Sequence, residues 1–419
     1  MKLTEIRLKQ FRNLSDTVLK PTPGVNFLIG SNGQGKTSLI EAISYLATLR
    51  SFRDKKLGHV VQWGQKQSEI SCQLSSEPSA PGLNDSWTSD FRIQFELVDP
   101  EKKKATKSAF INGKPYKSST QYLTQRFGSV ELGFHTVVFN PSDHDLVRGE
   151  PAIRRSYLDQ VIAAQDVDYL KTLQKFQRVL QQRNMLLKNR GVSYPSPELL
   201  SGFTEPFCAF GGSLAERRLA WVEKINPLLQ EILSKIAPSQ APVRISYLSS
   251  WLPNEKGEIF KKLALKNHEL DSVHFAGQER SGSLELLNRS LWEKLVALEA
   301  EERKVGFSLA GPHRDDWIFL LGDQVLKGHG SQGEVRSALL ALKLAEVILF
   351  QRVTGHRPLF LLDDLSSELD QKRRSFLLQF LSETDLQTFV TTTDDPSLSG
   401  ARFWVSSGKI KEGRHDDRT

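Results

Sequence analysis

Two segments far apart in the sequence carry the two halves of one nucleotide-site pattern. Gly30–Thr37, with the sequence GSNGQGKT, is a complete phosphate-loop motif. The apolar run Leu359–Leu362 ends in Asp363 and Asp364, almost the whole chain later. Ordinary phosphate-loop enzymes keep such elements within one compact domain, so a chain like this one must bring its two flanks together when it folds.

The surroundings of the phosphate loop have the local pattern that the motif needs. Val25–Ile29 is a short apolar run of strand type, and apolar residues from Leu39 to Leu49 recur at helical spacing. Glycines let backbone N–H groups converge on phosphate oxygens at the positive end of the following helix. Lys36 is expected to reach the β- and γ-phosphates, and the Thr37 hydroxyl to ligate Mg²⁺. The predicted ATP-binding residues here are Gly30, Ser31, Asn32, Gly33, Gln34, Gly35, Lys36, Thr37 and Ser38.

The acidic pair supplies the expected Mg²⁺ side of the site. A carboxylate at the end of an apolar strand can hold the water shell of Mg²⁺, so Asp363 joins Thr37 as a predicted metal residue. Asp364 stands where ABC-type ATPases usually carry a glutamate that polarises the attacking water. Because Asp is one methylene shorter, we expect slow hydrolysis, with Asp364, Asp363 and Lys36 as the catalytic residues. A surface acidic pair at a strand end is the alternative for this pair taken alone.

A third motif, Ser331–Glu334 with the sequence SQGE, directly precedes a helical pattern and lies shortly before the acidic pair. In that setting Ser331 and Gly333 are expected to receive, at a helix N-terminus, the γ-phosphate bound by a second copy of the chain. The motifs follow the order found in an ABC-type head: a phosphate loop, a long insertion, a Ser-x-Gly-Glu signature, and an apolar strand that ends in Asp-Asp. The spacing therefore predicts an ATP-gated dimer. Ser367–Asp370 has the spacing of a loop that communicates across such a dimer, and Thr393 with Asp394 is the expected γ-phosphate sensor, with an ordinary turn as the alternative.

The patterns between the motifs divide the chain into three segments. Residues 1–150 and 306–419 carry strand and turn patterns and predict an α/β ABC-type ATPase head with mixed sheets. Residues 151–305 contain three stretches of helical periodicity, the second of them from Phe210 to Ile236. A long coiled coil needs a sustained seam, so a compact, mainly helical lobe without a long coiled coil is expected. Residues 75–90 read as a surface loop, and the charged tail after Lys409 is expected to be loose.

The composition permits a nucleic-acid partner and argues against several other classes. The net charge of +7 fits a polyanion partner without requiring one. Cys72 and Cys208 are the only cysteines and lack paired spacing, so neither a disulfide framework nor a zinc site is predicted. The sequence does not open on a signal-like apolar stretch, and no apolar run approaches ~18 residues. The expected location is cytoplasmic, with no membrane partner.

Basic clusters are the candidate contacts for DNA phosphates. They are Arg50, Arg53, Lys55 and Lys56, the run Lys102–Lys107, and the pair Arg154 and Arg155. A solvated basic face is the more common explanation for any one of them. His313 has neither metal-ligand spacing nor a nucleophile partner, so a structural role is expected for it.

Taken together, these segments resemble the RecF family, the bacterial DNA-repair members of the SMC-like ABC ATPases. The resemblance runs nearly end to end. The segments that carry it are Phe11–Asn13, Gly30–Thr37, Glu41–Ile43, Ser51–Arg53, Ile111–Lys114, Phe139–Asp143, Leu146–Gly149, Arg154–Asp159, Gln182–Asn184, Gly311–Asp316, Ser331–Gly333 and Leu362–Asp370.

The resemblance implies an ATP-dependent homodimer that binds single-stranded, gapped or junction DNA in recombinational repair and replication restart. It implies a weak, DNA-dependent ATPase with ATP and Mg²⁺, RecR and RecO as partners, and the loading of RecA with SOS induction. Arg12 and Asn13 match a family motif and are expected to join the ATP site.

Two departures and two alternatives remain at this point. Glu334 stands where the family often has Gln, a change that ABC signatures tolerate, and the 75–90 loop resembles an extension, so no role is assigned to its surroundings. The sequence offers no clear Gln for a metal-contacting Q-loop, and the Pro141–Asp143 turn is the candidate for that role. An ABC transporter subunit is one alternative, against which the long insertion and the basic balance argue. A non-catalytic ATP-binding scaffold is the other, against which the intact Lys36, Thr37 and Asp363 argue.

Overall fold

The computed structural model of the protein describes residues 2–54, 56–76, 87–99, 101–118, 121–123, 134–188, 196–252, 280–365, 369–396 and 399–413. The chain divides into two compact units, Met1–Asp143 with Glu346–Thr419, and His144–Ala345. The first unit is built from both flanks of the chain, as the separation of the motifs requires. The division into segments 1–150, 151–305 and 306–419, which follows motifs rather than compactness, stays a prediction.

A mixed sheet of six strands in the first unit has the order β15-β14-β3-β13-β12-β8. Its strands are β3 (Val25–Ile29), β8 (Thr136–Phe139), β12 (Leu359–Leu362), β13 (Thr388–Thr392), β14 (Ala401–Ser406) and β15 (Lys409–Glu412). β3 pairs in parallel with β13 on one side and with β14 on the other. Every residue of β3, β12 and β13 is buried, which is typical of parallel strands covered on both faces.

The prediction of a loose tail after Lys409 is wrong for its first residues. β15 pairs antiparallel with β14, with Val405 opposite Ile410. Ser407 and Gly408 make the turn, and both have positive φ values, 49° and 74°. The charged composition of this segment reflects an exposed edge strand rather than a lack of structure, since charged side chains are common on such edges. Residues 414–419 lie outside the described residues.

A second sheet of six strands in the same unit is antiparallel, in the order β2-β1-β4-β5-β6-β7. Its strands are β1 (Lys2–Lys9), β2 (Thr17–Leu19), β4 (Gln67–Ser76), β5 (Trp87–Asp99), β6 (Lys104–Ile111) and β7 (Lys114–Tyr116). The alternating run at residues 91–97 is a strand, as predicted, within β5. The two ends of the predicted loop 75–90 belong to β4 and β5. Residues 77–86 of that loop lie outside the described residues.

Helix α1 (Lys36–Thr48) follows the phosphate loop and shares one core with both sheets. Buried side chains of α1, of the mixed sheet and of the antiparallel sheet form a single apolar cluster, with Ile40, Leu361 and Phe95 among its members. Leu49 ends the helix in the left-handed conformation. The first unit also contains the helix Gln371–Glu383, the end of the helix Gln332–Thr354, and the short 3-10 turns Leu57–Val60 and Pro141–Asp143.

The inserted unit is mainly helical, and the predicted fold class is confirmed. Its helices are His144–Arg148, Pro151–Gln165, Val167–Lys188, Pro197–Ile236, Arg280–Val305, Leu326–His329 and most of Gln332–Thr354. A three-stranded antiparallel sheet in the order β11-β10-β9 accompanies them, made of β9 (Val243–Leu248), β10 (Asp316–Leu321) and β11 (Gln324–Val325). Within the described ranges, no helix has the length and apolar character needed to cross a membrane.

The helix Pro197–Ile236 is longer than the sequence pattern predicts, because it begins before Phe210 and includes Pro206 and Pro227. Proline removes a backbone hydrogen bond and usually ends or bends a helix. Ser196 caps the N-terminus, where its side chain accepts a hydrogen bond from the N–H of Leu199. The helix packs against Val167–Lys188 and Arg280–Val305, so its apolar residues serve a compact lobe and the described helices form no long coiled coil.

A buried ion pair joins these helices at one end. Arg183 is 2% exposed, and Glu302 is 0% exposed. The Arg183 guanidinium donates to Glu302 Oε2 at 2.6 Å, to Ser308 Oγ at 2.7 Å and to Thr204 Oγ1 at 3.1 Å. A buried charge is tolerated when it is paired and hydrogen-bonded in this way. One arginine therefore ties its own helix to two others.

A second buried arginine, Arg218, organises another hydrogen-bond network in the lobe. Arg218 donates to Asp159 Oδ1 at 2.7 Å and to the Tyr247 hydroxyl at 3.1 Å. Tyr247 donates in turn to Asp315 at 2.8 Å, and the Trp251 indole donates to the same carboxylate at 2.9 Å. Burial raises the pKa of Asp315 to about 6. Two members of the network, Asp159 and Asp315, belong to segments that carry the family resemblance, and here they have a packing role.

The prediction that Arg154 contacts DNA is wrong. Its side chain is buried and donates to both carboxylate oxygens of Asp316, at 2.8 and 2.7 Å. Arg155 donates to a backbone carbonyl at 2.9 Å. His313 packs against Phe207, with ring centroids 5.9 Å apart, and burial lowers its pKa to about 4. A neutral, packed imidazole agrees with the structural role expected for His313.

Replacement of Arg183 by Met should lower the free energy of unfolding by about 3–5 kcal/mol, because Glu302 stays buried without its cation. Urea unfolding followed by circular dichroism measures the change. Arg178→Met, at an exposed position of the same helix, is the control and should shift the free energy by less than about 0.5 kcal/mol. Equal effects of the two variants would contradict the buried-pair argument.

Candidate nucleotide site

Three strand ends meet at one edge of the mixed sheet. β3, β13 and β12 are parallel neighbours, so their carboxyl ends lie side by side. Gly30 follows β3, Thr391 lies near the end of β13, and Asp363 follows β12. The crevice outside the carboxyl ends of parallel strands is where open α/β sheets bind ligands. Strand order therefore brings the phosphate loop and the acidic pair to one place.

The phosphate loop depends on its glycines for its shape. Gly33 and Gly35 have φ values of 81° and 117°, a region that favours glycine. Gly30 lies directly against β14, and a Cβ atom there would stand 2.2 Å from the carbonyl oxygen of Val405. The loop leads into the N-terminus of α1, where backbone N–H groups without intrahelical partners form an anion site.

Lys36 folds back over the loop. Its Nζ donates to the carbonyl oxygens of Gly30, at 2.5 Å, and Ser31, at 2.9 Å. Burial lowers the pKa of Lys36, and the nearby carboxylates of Asp364 and Asp363 oppose that shift. The ammonium group is thus held at the mouth of the loop by carbonyl oxygens that a phosphate oxygen can replace.

Asp363 is joined to the phosphate loop by a direct hydrogen bond. The Thr37 hydroxyl and the Thr391 hydroxyl each donate to Asp363 Oδ1 at 2.9 Å. The side chain is 5% exposed. Burial raises the pKa of Asp363, while the two hydroxyl hydrogen bonds lower it.

These oxygens fit a Mg²⁺ ion held jointly with a nucleotide. Mg²⁺ prefers oxygen ligands and usually takes only one or two from protein side chains, the rest being water and substrate phosphate. Thr37 Oγ1 and Asp363 Oδ1 supply such a pair at the end of the phosphate loop. Among the described residues no cluster of three or more His, Cys, Asp or Glu forms a self-contained metal cage, which suits a metal completed by the substrate.

Asp364 has an unusual backbone conformation. Its φ is 59°, in the left-handed region where Asp is tolerated better than most residues. The Asp364 N–H donates to Thr391 Oγ1 at 2.7 Å, and the residue lines the cleft beside Lys36. Thr391 is not among the residues expected from the sequence, because the periodicity of β13 locates the strand but does not say which threonine ends inside the site. The role of Thr393 and Asp394 as a γ-phosphate sensor stays a prediction.

Asn13 supports the loop from outside. Its Nδ2 donates to the carbonyl oxygen of Gly33 at 2.8 Å, and its Oδ1 accepts from the Ser38 hydroxyl at 2.8 Å. Both residues belong to the predicted site. In this structure their side chains engage each other and the loop backbone.

Arg12 is held by a carboxylate of α1. Its guanidinium donates to both Glu41 oxygens, at 2.9 and 2.5 Å, and to the His59 carbonyl at 2.9 Å. Glu41 is 0% exposed and also accepts from Ser51 at 2.6 Å. Arg12 lines the cleft, but its charge is neutralised within the protein.

The β14–β15 turn braces the same loop. Its Ser407 N–H donates to Gln34 Oε1 at 2.6 Å, and its Gly408 N–H donates to the Gln34 carbonyl at 3.3 Å. The Gly408 carbonyl accepts from Ser15 at 3.0 Å, and a Cβ at Gly408 would lie 2.3 Å from the Asn13 carbonyl. The turn therefore touches both the phosphate loop and the Asn13 segment. In the sequence, this turn is indicated only by a Ser-Gly pair before a charged segment.

A cleft of about 560 Å³ lies over these groups. The predicted residues that line it are Arg12, Asn13, Asn32, Gly33, Gly35, Lys36, Thr37, Ser38, Asp363 and Asp364. The lining residues outside that prediction are Arg53, Gly58, His59, Val61, Trp63, Lys103 and Thr391. Gly30, Ser31 and Gln34 form the loop without facing the cleft. The turn Pro141–Asp143 and the pair Thr393 and Asp394 are not in its lining.

The signature segment belongs to the other compact unit. Ser331 directly precedes the helix Gln332–Thr354. Its hydroxyl accepts from the Glu334 N–H at 3.2 Å, and its own N–H donates to the Glu334 carboxylate at 2.8 Å. This is a capping box, in which Glu and Gln are equivalent, so Glu334 in place of Gln keeps the helix start intact. Of Ser367–Asp370, residues 367 and 368 lie outside the described residues.

The basic candidates for DNA separate into two groups. Arg50, Lys56, Lys102 and Lys104 are exposed. Lys107 is partly buried and donates to the Leu49 carbonyl at 2.7 Å, and burial lowers its pKa to about 8. Lys55 lies outside the described residues.

The fold and this site define an ABC-type ATPase head. A model of the RecF/RecN/SMC N-terminal domain family matches residues 2–414. The chain therefore belongs to that family, and the resemblance seen in the sequence is confirmed.

Curated relatives and solved structures agree with this assignment. The DNA replication and repair protein RecF of Geotalea uraniireducens (strain Rf4) is 34% identical over 416 residues, which cover 98% of this chain and 100% of the relative. RecF of Geobacter sulfurreducens is 33% identical over 417 residues, covering 98% and 99%. A structure of the recombination mediator protein RecF with ATP in the RecFOR pathway has a TM-score of 0.80 at 28% identity, covering 98% and 97%. The Smc head domain of Pyrococcus furiosus, with a TM-score of 0.53 at 16% identity and coverage of 98% and 95%, shares the fold.

The brace at Gly408 can be tested with a matched pair of glycines. Gly408 and Gly355 both have a φ of 74°, but a Cβ at Gly355 meets nothing within 4 Å. Both Ala variants bear the strain of a left-handed Ala, about 1–3 kcal/mol. Only Gly408→Ala should also weaken ATP binding, by roughly tenfold, because a 1 Å misplacement of a binding group has effects of that order or more. Calorimetric titration with ATP measures it; equal ATP affinities would contradict the brace.

Proposed function

We propose that this protein is an ATP-dependent DNA-binding protein of DNA repair and replication. It binds ATP with Mg²⁺, dimerises on the nucleotide and hydrolyses it slowly. The observation that carries the ATP part is the 2.9 Å hydrogen bond between Thr37 and Asp363, which joins residues 326 positions apart. This hydrogen bond places Thr37 Oγ1 and Asp363 Oδ1 together at the end of the phosphate loop. These are the two oxygens that a Mg²⁺–nucleotide needs there.

The residues of the cleft have distinct roles in this proposal. The α1 N-terminus and the Gly30–Thr37 backbone hold the phosphates, and the Lys36 ammonium exchanges its carbonyl partners for β- and γ-phosphate oxygens. Thr37 and Asp363 would hold Mg²⁺, which would supply charge neutralisation at the phosphates. Asp364 orients the attacking water and accepts its proton. Its short side chain keeps the carboxylate farther from the phosphate than a glutamate would be, so slow turnover follows.

A second copy of the chain completes the site. Ser331 and the first turn of Gln332–Thr354 form the N-terminus of a helix of 23 residues. Such a terminus attracts an anion through its outward N–H groups and its dipole. In the dimer this terminus meets the γ-phosphate on the partner's Lys36. ATP bound between two copies then holds the dimer together, and hydrolysis releases the copies from each other.

The proposed binding to DNA is supported by the net charge of the chain and by the names of its relatives. The net charge is +7, and relatives at 33–34% identity are named DNA replication and repair proteins. A structural relative is described as a recombination mediator in the RecFOR pathway. We therefore assign single-stranded or gapped DNA as the substrate, RecR and RecO as partners, and RecA loading as the outcome.

The composite site predicts the behaviour of Ser331→Arg. Each monomer should still bind ATP through its own phosphate loop, while the bulk of the arginine side chain blocks docking of the partner's γ-phosphate. ATP-driven dimerisation and hydrolysis should both fail, as measured by sedimentation velocity and phosphate release. Gln324→Arg, which adds the same charge at an exposed position of the same unit, is the control and should dimerise normally.

A mixture sharpens this test. Ser331→Arg combined with Lys36→Met can form at most one working site, from the Lys36 of one chain and the Ser331 of the other. Partial recovery of dimer in the mixture supports the proposal. Wild-type dimer fractions for Ser331→Arg alone would rule out a site shared between two copies.

DNA binding should be dominated by phosphate contacts. For neutralisation of five or more phosphates, the slope of log K against log salt should be about −4 or steeper on double-stranded DNA. Fluorescence anisotropy with a gapped duplex, with and without ATP, measures the slope, and Lys36→Met serves as the control for the ATP requirement. A flat response between low and physiological salt would point to a partner other than nucleic acid.

A further inference from the structure

One aromatic side chain in the cleft has no role in the phosphate chemistry. Trp63 is 85% exposed, the highest exposure among the large apolar side chains of the described residues. Tryptophan is usually among the largely buried residues of a protein. Trp63 nevertheless lines the same cleft as Lys36, Thr37 and Asp363. An exposed indole in a nucleotide cleft indicates a surface that a bound ligand covers.

The backbone that carries Trp63 is fixed to the site. The neighbouring Gln62 N–H donates to the Gln10 carbonyl at 2.9 Å, and Val61 makes a β-bridge with Phe11. Phe11 directly precedes Arg12, which lines the cleft as well. Trp63 is therefore held on a tight turn attached to the phosphate-loop support, rather than on a free loop.

One face of the indole contacts a cation. The Lys103 ammonium lies 4.3 Å from the centroid of the Trp63 ring, a cation–π contact. Lys103 is itself anchored, because its carbonyl packs so closely on Gly58 that a Cβ there would stand 2.2 Å from the oxygen. Lys103 has a φ of 51°, which turns the chain at this point. The cation holds the ring on one side and leaves its other face for a flat partner.

We propose that Trp63 is the nucleobase platform of the cleft, on which a purine base of the bound nucleotide stacks against the face opposite Lys103. The inference rests on the proposed ATP site and adds what recognises the base. The phosphate loop and acidic pair account for the charged end of a nucleotide. Gly58, Val61 and Trp63 offer apolar and aromatic surface in the same cleft, which suits the uncharged end.

Stacking sets a preference among nucleotides. Every base has a π-face, so an aromatic platform is tolerant, but the larger ring system of a purine covers more of an indole than a pyrimidine does. ATP and GTP are therefore expected to bind more tightly than CTP and UTP. Loss of the indole should reduce this difference and leave the recognition of the triphosphate intact.

The test compares ATP with inorganic tripolyphosphate, both with Mg²⁺, by isothermal titration calorimetry on the full chain. Trp63→Ala should raise the Kd for ATP by about five- to a hundredfold and leave the Kd for tripolyphosphate unchanged. Trp63→Phe keeps an aromatic face and should recover most of the affinity. Lys103→Met should give a smaller loss than Trp63→Ala, because it loosens the ring without removing it.

The outcomes separate this inference from the proposed function. Unchanged ATP affinity in Trp63→Ala overturns the platform, and a selective loss of DNA binding or of ATP-driven dimerisation in that variant would assign the indole to one of those surfaces instead. Equal losses for ATP and tripolyphosphate also overturn it, since they indicate a damaged phosphate loop. A wild-type chain that binds tripolyphosphate but shows no preference for ATP contradicts the base platform alone. A wild-type chain that binds neither contradicts the ATP site itself.

Discussion

The parallel pairing of β3 between β13 and β14 is the constraint on which the nucleotide site depends. It places Gly30 beside the strand that ends near Thr391 and one strand away from Asp363. The Thr37–Asp363 hydrogen bond is a consequence of that strand order, not its cause, since a single net hydrogen bond contributes only about 1 kcal/mol. Burial of every residue in β3, β12 and β13 supplies the larger stabilisation.

Three buried arginines hold the inserted lobe together, and two of them, Arg154 and Arg183, belong to segments that carry the family resemblance. Arg154, Arg183 and Arg218 are each buried and each paired with a carboxylate. Breaking such a pair is costly because a charge stays behind in an apolar interior. These arginines therefore fix how the helices meet, and a basic residue in a family motif is not by itself a sign of nucleic-acid contact.

The sequence predicts the parts of the site whose chemistry requires particular residue types at fixed spacing. The phosphate loop and the Asp363–Asp364 pair are of this kind, and the fold class follows from the distance between them. The sequence does not predict which threonine of β13 reaches Asp363, because that depends on where the strand stops against its neighbours. Nor does it predict that Arg154 is buried or that Ser407 and Gly408 brace the loop. Those facts depend on partners that lie up to hundreds of residues away in the chain.

The position of β3 also affects how the protein is made. β3 is synthesised roughly 360 residues before β13, and at about 5–20 residues per second a ribosome takes roughly 20 to 70 seconds to cover that interval. During that time Val25–Ile29 is a nascent apolar strand with neither of its final neighbours. Unpaired strand edges recruit other strands, so nascent chains crowded on one messenger RNA share a hazard at this segment. β3 therefore takes its place between its two neighbours only after the chain has been made as far as Ser406, the end of β14.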